Sequence, residues 1–261
     1  MKTSYFLYFI LVIFNSSCNP KTDSEVHSDD ANSKGKEIHF YTADSIKVYA
    51  DLYQQDSQGA TILLFHQGGA NVRSEYAPII PRLLEEGYNI LAVDQRVGGQ
   101  LLGSYNRTVA DIGINRYNYC DAYPDLEASV NYIKNNGFNG KLIAWGSSFS
   151  AALAIKLAHE NPDSIDAVLA FSPASGEPLA GCNPNGLFET LKTPMLLLRP
   201  YDEAQIESVR NQIALADQFG HQTYVANNGR HGSSMLVEDR VQAPVKANWK
   251  AVLRFLEEQK N

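Results

Sequence analysis

No stretch of the 261-residue sequence gathers Lys and Arg into a basic patch, and the net charge of −7 is spread along the chain. That excludes a nucleic-acid partner and a role that depends on steering a polyanion. No His-Glu-x-x-His and no paired Cys ligands occur, so no metal or other cofactor is expected. Internal repeats are lacking too, which removes solenoids and propellers. Cysteine is scarce, with three residues, Cys18, Cys120 and Cys182. The apolar run Tyr5 to Phe14 falls well short of the roughly 20 residues needed to span a bilayer. What is present is a globular composition, 44% hydrophobic and 20% charged, of a length that suits one domain with a core of several layers. A neutral or weakly charged small molecule fits this balance best.

Met1 and Lys2 place positive charge ahead of Tyr5 to Phe14, an apolar run of signal-peptide length. Residues 1–17 therefore predict export. The run ends in Asn15-Ser16-Ser17-Cys18, which resembles a bacterial lipobox, although Asn15 stands where that pattern prefers an aliphatic residue. The resemblance implies a lipid on Cys18 and attachment to a bacterial membrane, periplasmic or on the outer surface; ordinary cleavage is the alternative. From Asn19 to Lys36 the chain is polar, with too little apolar surface to offset the entropy of ordering it. Residues 18–36 thus read as a flexible tether and 37–261 as the folded domain. Cys120 and Cys182 form an even pair in an exported chain, both in loop-like sequence. A disulfide and two free thiols both remain open.

The folded part begins with alternating segments, Ile38 to Tyr41 and Ile46 to Tyr53, around the turn residues Ala43-Asp44-Ser45, a hairpin pattern. Short apolar runs then alternate with helical stretches. The runs are Thr61 to Phe65, Ile90 to Val93, Leu142 to Trp145, Ile165 to Phe171, Met195 to Leu198 and Thr223 to Ala226. Helices are expected over Tyr76 to Glu86, Tyr123 to Asn135, Ala151 to His159, Glu203 to Phe219 and Val241 to Gln259. The runs lack a polar face, as strands covered by helices on both sides require. The expected class is α/β, a mostly parallel sheet flanked by helices behind an antiparallel hairpin. Two long connections, Arg96 to Ala122 and Ser172 to Lys192, follow parallel strands, at the edge where open sheets bind ligands. Cys120 lies in one and Cys182 in the other.

Four motifs fall at strand ends. Gly146-Ser147-Ser148-Phe149-Ser150 joins a strand directly to a helix, the setting of a G-x-S-x-G turn that pushes the central serine into a cleft. Ser150 stands for the second glycine, and Ser147 is the competing hydroxyl. Phe65-His66-Gln67-Gly68-Gly69 ends the strand Thr61 to Phe65. Pro200-Tyr201-Asp202-Glu203 follows Met195 to Leu198, and Gly229-Arg230-His231-Gly232 follows the last strand.

Taken in order, Ser148, Asp202 and His231 resemble the Ser, acid, His sequence of the α/β-hydrolase superfamily. The likeness is to its dienelactone-hydrolase-like, small-cap members, over roughly His39 to the C-terminus. It implies Ser148 as nucleophile, His231 as general base and Asp202 as the acid that orients it, with Glu203 the rival that complements a helix dipole. By the same resemblance an oxyanion is held by the backbone amides of Phe149 and of Gly68 or Gln67, while His66 braces its loop. Serine at position 148, where dienelactone hydrolases carry cysteine, favours ordinary ester chemistry on a small-molecule ester without a cofactor. An aminopeptidase or acyltransferase with the same residues, and a non-catalytic binding lipoprotein of this fold, are the alternatives. Arg96, Tyr105, Arg107, Arg116, Tyr117 and Tyr119 can face substrate or simply anchor the first long loop.

Overall fold

The alternation of the first two apolar segments closes a hairpin. β1 (Lys36–Tyr41) pairs antiparallel with β2 (Lys47–Tyr53), Tyr41 opposite Lys47. In the turn, the Thr42 hydroxyl donates to Asp44 Oδ1 at 2.5 Å and accepts the Ile46 amide at 2.9 Å. This computed structural model describes Met1 and residues 35–114, 116–176 and 179–260. The predicted signal segment, the lipobox with Cys18 and nearly all of the tether lie outside the described residues.

Beyond the hairpin, strands and helices alternate: β3 (Thr61–Phe65), α1 (Val72–Tyr76), α2 (Ile80–Glu85), β4 (Asn89–Asp94), α3 (Arg107–Ile112), α4 (Tyr123–Asn135), β5 (Leu142–Ser147) and α5 (Phe149–Glu160). Then come β6 (Ala167–Phe171), β7 (Met195–Pro200), α6 (Tyr201–Ala204), α7 (Glu207–Gln218), β8 (Gln222–Ala226), α8 (Glu238–Val241) and α9 (Lys246–Lys260). The strands form one sheet in the order β1-β2-β4-β3-β5-β6-β7-β8. β2 joins β4 antiparallel, and every pairing from β4 onward is parallel. This is the α/β-hydrolase fold.

Period-two geometry divides each buried strand between two cores. Ile62 and Leu64 of β3 face the core built with α1, α2 and α9, including Tyr76, Leu83, Val252 and Phe255. Leu63 and Phe65 face the core built with α4 and α5, including Leu126, Ile133, Leu153 and Leu157. With apolar side chains needed on both faces, β3 through β7 have no polar stripe.

Three expected helices differ from the structure. The segment Tyr76 to Glu86 is divided into α1 and α2 because Pro78 has no amide to donate and Pro81 suits a helix's first turn. Glu203 to Phe219 is interrupted at Ile206, which is extended (φ −74°, ψ 131°). Val241 to Gln259 becomes α8 and α9, separated by left-handed Gln242 (φ 59°) and by Pro244. Within the first long connection, α3 and a 3-10 turn over Tyr119–Ala122 add order that its sequence did not predict. Among the described residues no helix is long and apolar enough to cross a membrane.

Candidate active site

The turn from β5 into α5 places Ser148 at φ 62°, ψ −122°, a backbone region that costs a non-glycine residue roughly 1–3 kcal/mol and persists only where its surroundings enforce it. Here they do. The Ser148 amide donates to Phe171 O at 2.8 Å, and its carbonyl accepts from the Ala151 amide at 3.0 Å. Gly146 permits the sharp reversal, since a Cβ there would collide with Ser150 O and Ala151. Ser147, the competing hydroxyl, is buried and accepts the Ser233 amide at 3.0 Å. Only Ser148 of the pair reaches the cleft.

His231 follows β8 on a loop fastened from beneath. The next amide, of Gly232, donates to Ser172 Oγ at 3.1 Å. Ser233 Oγ receives Trp145 Nε1 at 2.9 Å. Gly232 is required twice over: its φ is +66°, and a Cβ would strike the Ser147 hydroxyl.

The acid that meets His231 is Glu203, not Asp202. His231 Nδ1 lies 2.6 Å from Glu203 Oε1, and Arg199 Nη1 donates to Glu203 Oε2 at 2.9 Å. Asp202 is exposed and outside the cleft. Because β7 runs on to Pro200 before α6 begins, the inward face of that helical turn falls at its third residue. Burial works to raise the Glu203 carboxyl, but the His231 imidazole and then the Arg199 guanidinium outweigh it and hold it below the ordinary carboxylate value. Glu203 was the rival acid in the sequence, read there as a complement to the helix dipole.

Ser148, Glu203 and His231 line one cleft of about 540 Å³, together with Ser172, Ser175, Leu179, Ile206, Ser208 and Val209. A larger surface groove of about 840 Å³, between α2 and α9, has neither a serine nor a histidine in its lining. Volume alone therefore does not mark the site.

On the other side of Ser148, the turn after β3 holds two kinds of amide. Gln67 N donates inward to Glu75 Oε2 at 2.7 Å, so it is committed. Among the described residues the amides of Gly68 and Phe149 donate to no protein acceptor. His66 is buried, with Nδ1 2.9 Å from Gln67 O, while Nε2 receives the Gln95 amide at 3.2 Å. Burial lowers its pKa and keeps it neutral. It braces the turn. Ser150, in the second-glycine place, links elbow and turn: its hydroxyl donates to His66 O at 2.5 Å. Glu75 was not foreseen. It is fully buried beside the Ser147 hydroxyl, and burial pushes it up to about 7 against the pull of its hydrogen bonds and of the Arg240 and His231 charges.

Cys120 and Cys182 are joined, with S–S 2.16 Å and Cα atoms 5.6 Å apart, which ties the two long connections together. Arg96 and Arg107 anchor the first of them. Arg96 is buried on Asp125 and Asp44, and Arg107 on Asp94 and Asp51. Tyr117 lies against the Arg96 guanidinium at 5.1 Å, and Tyr105 and Arg116 are exposed. Among the described residues no cluster of His, Cys, Asp and Glu is arranged to hold a metal ion.

Residues 56–193 match the family model described as serine aminopeptidase, S33. The chain belongs to that family. No curated protein matches the sequence. Solved structures similar to this hydrolase include an esterase of Pyrococcus furiosus (TM-score 0.66, 19% identity, 93% of this chain and 98% of that chain). Est1E of Butyrivibrio proteoclasticus, solved with ferulic acid bound, is also similar (0.66, 16%, 85% and 98%). So is a dienelactone-hydrolase-like protein of Klebsiella pneumoniae (0.62, 15%, 85% and 97%). At these identities the likeness is one of fold. The fold shared with them extends over nearly the whole sheet.

Proposed function

We propose that the chain is a serine hydrolase that cleaves a carboxylic ester through an acyl-enzyme on Ser148. The observation that carries this reading is the His231–Glu203 contact of 2.6 Å in the same cleft as a serine on a strained elbow. With Nδ1 turned to Glu203, Nε2 is the ring nitrogen left to take the Ser148 proton as Oγ attacks the acyl carbon. The imidazolium then protonates the leaving oxygen, and the same nitrogen activates the water that releases the acid. Glu203 fixes the ring's tautomer and favours its charged form. The Gly68 and Phe149 amides, unspent among the described residues, are suited to receive the oxyanion, each such donor being worth roughly 3 kcal/mol in the transition state.

The family description raises a second reading, an aminopeptidase. An α-ammonium group needs an anionic partner near the scissile bond. Among the described residues lining the cleft the single carboxylate is Glu203, already engaged by His231 and Arg199. Serine hydroxyls and aliphatic side chains make up most of the remainder, which favours an uncharged ester of modest size. A fluorophosphonate reagent is expected to label the wild type and not Ser148→Ala. Of p-nitrophenyl acetate, longer esters and aminoacyl anilides, the short esters are expected to turn over fastest; turnover of anilides alone would overturn the esterase reading.

We also propose that the enzyme is exported and carries a lipid on Cys18. The Cys120–Cys182 bridge supports the export, because disulfides persist in oxidising compartments. Palmitate incorporation lost in Cys18→Ala tests it.

A further inference from the structure

Tyr119 stands where the disulfide-tied loop, the serine elbow and the turn after β3 converge. Its ring packs on Phe149, with centroids 4.8 Å apart and planes inclined by 34°. The phenol oxygen lies 2.7 Å from the point a Cβ would occupy on Gly68. Backbone bond lengths then place Oη within about 5 Å of the Gly68 amide nitrogen. A side chain at position 68 would have to displace the end of this ring. Among the described residues the hydroxyl has no hydrogen-bond partner, and the side chain is only half-buried. An unspent O–H therefore stands against the residues that carry both free amides.

Its position is held from both ends. Ahead of it, the Asn118 amide donates to Asp121 Oδ2 at 2.7 Å. Behind it, Cys120 is bridged to Cys182, and Leu179, three residues before that cysteine, lines the cleft. A tyrosine kept merely to fill space would bury its ring and leave the oxygen in bulk water. Here the ring covers the Phe149 side chain, and its Cε1, Cζ and Oη atoms all lie alongside Gly68.

We propose that Tyr119 Oη is a third hydrogen-bond donor to the oxyanion of the Ser148 adduct, beside the Gly68 and Phe149 amides. The assignment rests on the serine-hydrolase reading above. No proton changes owner at Tyr119. As Ser148 Oγ bonds to the acyl carbon, the carbonyl π electrons move to its oxygen, and the phenol hydrogen bond strengthens with that charge. When the tetrahedral adduct collapses and the leaving oxygen departs with the His231 proton, the bond weakens again. Such a donor acts on the transition state more than on bound ester, so its loss is read in kcat and not in KM.

Tyr119→Phe deletes one oxygen and keeps the ring on Phe149. The expected result with p-nitrophenyl acetate is a fall in kcat of about a hundred-fold or more with KM within about twofold. Affinity for a trifluoromethyl ketone, whose adduct places an oxyanion in the same position, is expected to fall by the same factor as kcat. A wild-type kcat in Tyr119→Phe overturns the proposal. So does a rise in KM with unchanged ketone affinity, which assigns Tyr119 to packing. Wild-type protein that neither reacts with fluorophosphonate nor hydrolyses ester overturns the hydrolase reading and this assignment with it. Labelling at Ser148 combined with an unaffected Tyr119→Phe defeats the Tyr119 assignment alone.

Discussion

Asp202 and Glu203 are adjacent carboxylates separated in role by one step around a helical turn. The order serine, acid, histidine was legible in the sequence, as was the strand end that carries each. The choice between the two acids was not, because it depends on where β7 stops. The strand continues through Arg199 and Pro200, so the helical turn starts at Tyr201 and Glu203 faces His231. Glu203→Gln is expected to lower kcat by about a hundredfold or more, and Asp202→Asn to leave it within about twofold; steady-state ester hydrolysis decides. Glu75 offers a test in stability. Its folded pKa, raised to about 7, lies above the ordinary 4.5, so the native state binds a proton that the unfolded state has released between those values. Stability on its account is full at low pH, falls as pH rises through that window, and levels off above about 7. Urea unfolding of wild type and Glu75→Gln at pH 4.5 and 8 is expected to show the wild type losing about 3 kcal/mol relative to the variant. Nothing in the local sequence marked this glutamate, since burial there is decided by partners distant in sequence.

Among the elements, strands were read more accurately than helices. A run such as Thr61 to Phe65, five residues long and buried along its whole length, is too short for a buried helix and fits a strand covered on both faces. Helix ends depend on single residues: Pro78 divides one helix, and extended Ile206 and left-handed Gln242 divide others. The two long connections were legible as loops at the ligand-binding edge, but their internal order was not, because it is fastened by distant partners. The bridge between them closes a separation of 62 residues. Chain entropy puts its worth at about 4 kcal/mol. Replacing both Cys120 and Cys182 with serine is expected to lower the urea midpoint accordingly while leaving the two cores intact, so near-ultraviolet circular dichroism should be retained at low denaturant.

At the scale of the molecule, the hairpin is joined to the parallel sheet by charge as well as by strand pairing. Arg107 Nε donates to Asp94 Oδ2 of β4 at 2.7 Å, and Nη1 donates to Asp51 Oδ1 of β2 at 2.8 Å. Arg107→Ala leaves the buried Asp94 carboxylate without its cation, while Asp51 keeps Arg73, and is expected to cost about 3–5 kcal/mol, measured by chemical denaturation. The sequence had shown that hairpin and the alternation behind it, yet gave no sign of what joins them, because Asp51, Asp94 and Arg107 are far apart along the chain. The position of β5 within the sheet has a wider consequence. Strands that precede it lie on one side and carry the turn with the free Gly68 amide; strands that follow lie on the other and carry the walls of the cleft. Ser148 stands at the seam. Descendants of this chain can therefore diverge in residues 173–192 while the serine elbow and the turn after β3 stay unaltered. Among the described residues of that segment, such divergence has to keep the covalent link from Cys182 back to the neighbour of Tyr119 and the buried side chains of Phe188 and Leu191.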